Sequence, residues 1–155
     1  MPFGNLQPQF DEILQQGIRA LGLTVGVMAS VELGGYRLEA VQSNSGAFVP
    51  GEVYPLGNSY CREVISRQEL IAVIRTGEAP LELHHPLYSS LPLECFIGAP
   101  IYMHGEIWGV LDFSSMTQRD EAFSKQDEKL VLALADEMSA LVDSSGFKIP
   151  DDESD

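Results

Sequence analysis

The two thiols of the chain, Cys61 and Cys95, are its clearest candidates for covalent or redox chemistry. Cys61 lies near the predicted start of a short helix, where the helix dipole can lower the pKa of a thiol and make it reactive. The alternative is a small, buried, apolar residue, which is a common environment for a free cysteine. The buried interpretation of Cys61 is the stronger of the two, and Cys95 falls on a predicted strand. We therefore expect no catalytic residue and no enzyme activity.

Three histidines, His84, His85 and His104, are the other groups that can titrate near neutral pH. His85 shares a segment with Pro86 and Tyr88, where it could hydrogen-bond a ligand or instead fix the loop by bonding a backbone carbonyl. Three histidines and two cysteines without close paired spacing give no tetrahedral metal set. The sequence also lacks a nucleophile triad, a carboxylate pair and a glycine-rich phosphate loop. Neither a metal site nor a known catalytic motif is predicted.

The segment 94–115 predicts a β-hairpin that supplies the core of a sheet. His104 and Gly105 form its turn, because glycine tolerates positive φ, and both arms are rich in β-branched and aromatic residues. Small residues such as Gly109 interrupt the arms, and a glycine in a strand often marks a bulge or a close approach. Asp112 is an acid on a buried arm. It either caps a nearby loop or faces the floor of a pocket.

Aromatic residues are placed where they could line a concave, mostly apolar pocket with a few polar tips. The candidates are Tyr54, Tyr60, Tyr88, Phe96 and Trp108. The alternative is that these side chains pack in the core, and for Trp108, on a strand arm, the core is the stronger interpretation.

The elements that must position these residues follow from hydrophobic periodicity and capping signals. The order of elements is an α+β pattern. It comprises an amphipathic helix over 10–21, strands over 24–31 and 36–42, a loop over 43–55 that ends in a short strand, a short helix from 58 or 59 to 67, a short strand over 70–74, and the hairpin. Residues 125–142 form a second amphipathic helix behind a capping box at Ser124 and Asp127. Both terminal helices could lie on one face of a sheet, with the irregular segment 75–93 covering a pocket on the other.

The net charge of the chain limits the classes of partner that it can bind. The chain has 155 residues and a formal charge of −14, and such a field repels phosphate backbones and anionic lipids. We expect no nucleic-acid and no membrane partner. The N-terminus lacks the order of a signal peptide and no apolar run reaches membrane length, which favours a cytoplasmic protein. We predict one domain over residues 1–142 and an acidic tail or linker over 143–155.

Five segments form an ordered set of motifs: Leu56–Arg62, His85–Tyr88, Phe96–Ile101, Trp108–Ser115 and Ala122–Asp127. Together they resemble the GAF domain family of cytoplasmic sensory modules, over about residues 10–142. The similarity is to the subgroup with Thr-Tyr-Cys, His-Pro-x-Tyr and Leu-Asn-Phe-Ser-Ser patterns, often attached to histidine kinases or diguanylate cyclases. Ser59 and Asp112 stand where that pattern has Thr and Asn.

The resemblance implies a central antiparallel sheet of about six strands, with terminal helices on one face and a small-molecule pocket on the other. It implies a sensory or regulatory function, a homodimer formed through the terminal helices, and a possible kinase or diguanylate cyclase output domain. At the far end of the second terminal helix, Met138, Leu141 and Val142 could extend beyond the sheet and pair with a second copy. The predicted ligand contacts are Tyr60, Cys61, His85, Tyr88, Phe96, Trp108 and Asp112.

Two alternatives stay open. One is a dimerisation or interaction module with a vestigial pocket, and the other is a free methionine sulfoxide reductase of the GAF type. The resemblance implies that such a reductase uses several cysteines, some of them in the loop before the hairpin. Residues 62–94 contain no cysteine, so the resolving thiol of that chemistry is missing. No bilin cofactor is expected, because Cys61 precedes Arg62 and Cys95 precedes Phe96, so neither forms the Cys-His pair of bilin-binding GAF domains. Haem is not expected either.

Overall fold

The computed structural model of the chain describes residues 4–43, 48–57, 59–74, 93–117 and 119–145. The predicted elements are present, with boundaries shifted by a few residues at most. Residues 75–92, including His84, His85 and Tyr88, lie outside the described residues. The elements are α1 (Gln7–Leu21, after a 3₁₀ turn at Gly4–Leu6), β1 (Val25–Glu32), β2 (Gly35–Ser43), β3 (Val53–Pro55), α2 (Tyr60–Arg67), β4 (Ile71–Val73), β5 (Cys95–Met103), β6 (Glu106–Ser115) and α3 (Lys125–Ser144).

The strands form one sheet of six in the order β3-β2-β1-β6-β5-β4, with every neighbouring pair antiparallel. The two central strands, β1 and β6, connect the β1–β2 hairpin to the β5–β6 hairpin. The predicted α+β fold with a six-stranded antiparallel sheet is confirmed.

Helices α1 and α3 pack together on one face of the sheet, which we call the helix face. Their buried residues join Leu111 and Phe113 of β6 in a single apolar cluster. Gly17 of α1 lies directly over Phe113, since a Cβ atom there would be 2.2 Å from the ring. Met138 and Val142 are 0% and 1% exposed in this cluster. The expectation that they extend beyond the sheet to meet a second copy is therefore wrong, because their own chain covers them.

The opposite face carries the short helix α2, and we call it the α2 face. Val25, Val27 and Ala29 alternate along β1, so all three point to this face, where they pack with Tyr60 and Cys61 of α2. The Ser59 hydroxyl caps α2 by accepting a hydrogen bond from the Arg62 amide at 3.2 Å. This cap places the first turn of α2 over the sheet.

Two β-bulges change the face of the sheet to which neighbouring side chains point. On β2 the extra residue is Glu39, because Leu38 and Ala40 pair with consecutive residues of β1. On β6 the extra residue is Trp108, between Ile107 and Gly109. The second bulge turns Trp108 to the helix face, where it is buried in the apolar cluster of α1 and α3.

Candidate functional site

The α2 face has a fully buried carboxylate at its centre. Asp112 lies on β6 between Val27 of β1 and Gly98 of β5, and it has no solvent exposure. Its Oδ2 atom accepts a 2.7 Å hydrogen bond from the Tyr36 hydroxyl. The same oxygen accepts a 3.5 Å hydrogen bond from the Cys61 thiol. Asp112 therefore faces the interior of the domain on the side of α2, where the floor of the predicted pocket was expected.

Tyr36 enters this cluster from β2, one strand beyond β1, and its side chain is fully buried. Burial raises the pKa of its phenol well above the ordinary value, and the negative charge of Asp112 raises it further. The phenol therefore stays protonated and acts as a hydrogen-bond donor. Sequence reasoning missed Tyr36, because no local pattern relates a residue of β2 to one of β6.

Cys61 enters the cluster from the first turn of α2. Burial raises the pKa of its thiol well above the ordinary value, the charge of Asp112 adds to the rise, and the Tyr36 hydrogen bond opposes it. The thiol is thus neutral at physiological pH, and a thiolate nucleophile is disfavoured at this position. Of the two alternatives raised by the sequence, the structure supports the buried residue.

Two aromatic rings pack together on the same face as Asp112. The Phe96 and Tyr60 rings pack with centroids 5.3 Å apart and planes tilted by 36°. Gly98 lies opposite Asp112 on β5, and a Cβ atom at Gly98 would be 2.6 Å from the Phe96 ring. The absence of a side chain at Gly98 therefore lets the Phe96 ring lie beside Asp112.

Ser114 adds a further polar group to this face, two residues beyond Asp112 on β6. Its backbone pairs with Val25 and Phe96, which both pack on the α2 face. Its hydroxyl is fully buried and has no hydrogen-bond partner among the residues that the structure describes. Period-two alternation from Asp112 could have placed Ser114 in the candidate set.

The structure brings four of the seven predicted contacts together on the α2 face: Tyr60, Cys61, Phe96 and Asp112. It separates Trp108 from them, because the bulge in β6 turns this side chain to the helix face. His85 and Tyr88 lie outside the described residues, so their placement stays a prediction.

The two cysteines are separated by the sheet. Cys61 is buried on the α2 face, whereas Cys95 is buried on the helix face, where its thiol makes a 3.9 Å contact with the Ser115 carbonyl. Both thiols are free. A disulfide between them would require rearrangement of the sheet.

Two further features are absent from the described part of the chain. No group of three or more histidine, cysteine or acidic side chains there could hold a metal ion. Among its helices, none combines the length and the apolar character that crossing a bilayer requires.

Comparison with known proteins identifies the family of this chain. A family model described as the GAF domain matches residues 5–142. The chain belongs to the GAF domain family. No curated protein matches the sequence significantly.

Solved structures, among them two GAF domains, share the fold of this chain. The GAF domain of an Acinetobacter phosphoenolpyruvate-protein phosphotransferase has a TM-score of 0.74 at 17% identity, covering 90% of this chain and 83% of that one. A type II free methionine-R-sulfoxide reductase from Thermoplasma acidophilum has a TM-score of 0.72 at 20% identity, covering 96% and 100%. The GAF domain of a Bacillus halodurans two-component sensor histidine kinase has a TM-score of 0.63 at 18% identity, covering 86% and 93%. At these identities the likeness establishes the shared fold.

Proposed function

We propose that this GAF domain is a sensory or regulatory module of cytoplasmic signal transduction that binds a small organic molecule on its α2 face. The observation that carries the proposal is the buried carboxylate of Asp112, which receives the Tyr36 hydroxyl and the Cys61 thiol at one oxygen atom. Burying an ionisable group in an apolar face is costly. A few polar groups in an apolar setting are what a small-molecule site uses to orient its ligand.

The proposed contacts are Tyr60, Phe96 and Asp112, with Cys61 packed beside the carboxylate. Ser114 adds a hydroxyl on the same strand, and His85 and Tyr88 stay predicted contacts. Trp108 is not included, because it packs on the helix face.

Ligand binding regulates an output only if the ligand has unequal affinity for two states of the protein. The terminal helices are the proposed output elements, through a homodimer or through a kinase or diguanylate cyclase domain in the same chain or in a partner. Since Met138 and Val142 are covered, the contact with a second copy would use the outer side of α3, where Leu132 is 43% exposed.

Native mass spectrometry of protein purified from cells tests the proposal. We expect a co-purifying small molecule on the wild-type protein and on the control Asp136→Asn, which makes the same chemical change on the exposed side of α3. Asp112→Asn should lose the molecule while remaining folded. Equal retention by Asp112→Asn would contradict the assignment of the site. A molecule-free wild-type protein that still dimerises would instead favour an interaction module with a vestigial pocket.

A second candidate, reduction of free methionine-R-sulfoxide, is suggested by the likeness to the Thermoplasma acidophilum enzyme over 96% of this chain. Against it stand the raised pKa of Cys61 and the position of Cys95 across the sheet. We expect no reduction of free methionine-R-sulfoxide by the wild-type protein or by Cys61→Ser, with dithiothreitol as the reductant. Turnover by the wild-type protein that Cys61→Ser abolishes would establish the enzyme instead.

A further inference from the structure

One arginine connects the two terminal helices at the end of the domain where α1 finishes and α3 begins. The Nη1 atom of Arg119 donates a 3.3 Å hydrogen bond to the carbonyl of Leu21, the last residue of α1. Its Nη2 atom lies 4.0 Å from the carboxylate of Asp127 in the first turn of α3. The guanidinium also covers the Phe123 ring, with its Cζ atom 4.1 Å from the centroid. The side chain is only 24% exposed.

The backbone of the same residue is bound to the edge of the sheet. The Arg119 amide donates a 3.0 Å hydrogen bond to the carbonyl of Ile74, directly after β4. Strand β4 pairs with β5, with Val73 opposite Phe96 and Ile71 opposite Gly98.

Phe96 and Gly98 are the residues of β5 that border Asp112. A continuous chain of contacts therefore runs from the Asp112 cluster through β5 and β4 to Arg119 and on to both helices. Ile71 and Val73 pack against the apolar cluster of the α2 face, whereas Ile74 packs against the cluster of the helix face. The short strand β4 and the residue that follows it thus contact both sides of the sheet, and a shift on one side can reach the other.

We infer that Arg119 is a positioning residue that couples the Asp112 cluster to α1 and α3, a role that rests on the proposed function. The chemistry of the side chain suits this role. The last carbonyls of a helix lack partners within the helix and form its negative end, where a cation is favoured. A guanidinium presents several donors in a planar fork, so it can contact the Leu21 carbonyl and Asp127 together and also stack on Phe123.

The backbone and side-chain contacts of Arg119 can be separated by mutation. Arg119→Met removes the hydrogen bonds of the guanidinium to the Leu21 and Glu121 carbonyls, its ion pair with Asp127 and its cation–π interaction with Phe123. It keeps the backbone amide that bonds Ile74. The sheet edge and the Asp112 cluster should stay in place while the link to the helices is lost. Arg67→Met is the matched control, because Arg67 is exposed and its ion pair with Glu63 lies within α2.

The experiment is a hydrogen-exchange double-mutant cycle that needs no ligand. Tyr36→Phe perturbs the Asp112 cluster, with Cys61→Ala as a second perturbation if the first does not fold. The amides of Gly22 and Leu23 report on the end of α1, and those of Asp127 and Glu128 report on the start of α3, since all four are hydrogen-bonded. In the wild-type background and in the Arg67→Met control, the perturbation should change their exchange rates by about two- to thirtyfold.

In the Arg119→Met background the same perturbation should leave these four amides unchanged. Equal changes in the wild-type and Arg119→Met backgrounds would overturn the inference, as would no change in the wild-type background. The outcome is separate from that of the proposed function, because a protein that retains no small molecule in mass spectrometry can still show or lack this coupling.

Discussion

The Tyr36 hydroxyl and the Asp112 carboxylate, 76 residues apart in the sequence, are joined by a buried 2.7 Å hydrogen bond. The bond ties β2 to β6 over the intervening β1 and therefore links the two hairpins of the sheet on the α2 face. Because Cys61 contacts the same oxygen, α2 is attached at the same point. A change at Asp112 should consequently affect two hairpins and a helix together.

Removing the carboxylate should destabilise the domain, because it leaves the buried donors of Tyr36 and Cys61 without their acceptor. We expect Asp112→Ala to lower the free energy of unfolding by about 2 to 4 kcal/mol. Asp112→Asn keeps a carbonyl acceptor and removes a buried charge, so its loss should be below about 1.5 kcal/mol. Urea denaturation measures both, with Asp136→Asn as the exposed control. Equal losses for the two Asp112 variants would contradict this account.

The fold was predictable where the signals are local. Ser124 and Asp127 form the capping box that their spacing predicts, each side chain bonding the other's amide at 3.0 Å. Val25 and Val27 alternate with residues of the other face along β1, and both pack in one apolar cluster. Such signals depend on neighbours within a few residues, so they can be read from one sequence.

The face of Trp108 could not be predicted, because one extra residue in a strand reverses the orientation of its neighbours. Gly109 does mark the irregularity: a Cβ atom there would be 2.0 Å from the Ala29 carbonyl, the close approach that a strand glycine indicates. However, a glycine does not show which residue bulges. The contact of Tyr36 with Asp112 was missed for a different reason, since it depends on strand order and register.

The thiol of Cys61 should resist alkylation in the folded protein, because only the thiolate reacts and burial keeps its pKa well above the ordinary value of 9.0. Raising the pH toward 9 should accelerate labelling in urea but have little effect on the native protein. Iodoacetamide labelling followed by peptide mass spectrometry measures this. Cys95 is the internal comparison, because burial also raises the pKa of its thiol. Native labelling of Cys61 as fast as in urea would contradict the buried, neutral thiol.

Glu39 should lower the stability of the domain as the pH rises, the opposite of an acid whose pKa the fold depresses. Burial raises the pKa of this carboxyl above its ordinary value of 4.5, against the lowering effects of the Ser30 hydroxyl at 2.6 Å and of Arg37. As the pH rises, the unfolded chain therefore loses this proton first. The stability contributed by protonated Glu39 is complete below 4.5 and is lost as the pH rises through the folded-state pKa.

Glu39→Gln should remove that loss, so its free energy of unfolding should rise relative to wild type as the pH increases above 4.5. Ser30→Ala should have the reverse effect, because it removes a hydrogen bond that lowers the pKa of the carboxyl. Urea denaturation across this pH range gives the three profiles. Parallel profiles for wild type and Glu39→Gln would show that Glu39 titrates alike in the folded and unfolded states.

Gly17 sets the distance between α1 and the sheet, because a Cβ atom at this position would be 2.2 Å from the Phe113 ring. On an exposed helix surface Gly→Ala stabilises by about 0.5 to 1 kcal/mol, but here the clash should dominate. We expect Gly17→Ala to lower the free energy of unfolding by about 1 to 3 kcal/mol. The exposed neighbour Gln16→Ala is the control and should be close to neutral. Phe113→Leu replaces the ring by a smaller side chain, so in this background Gly17→Ala should cost less stability than in the wild-type protein. Additive losses of the two changes would show that the two residues do not contact.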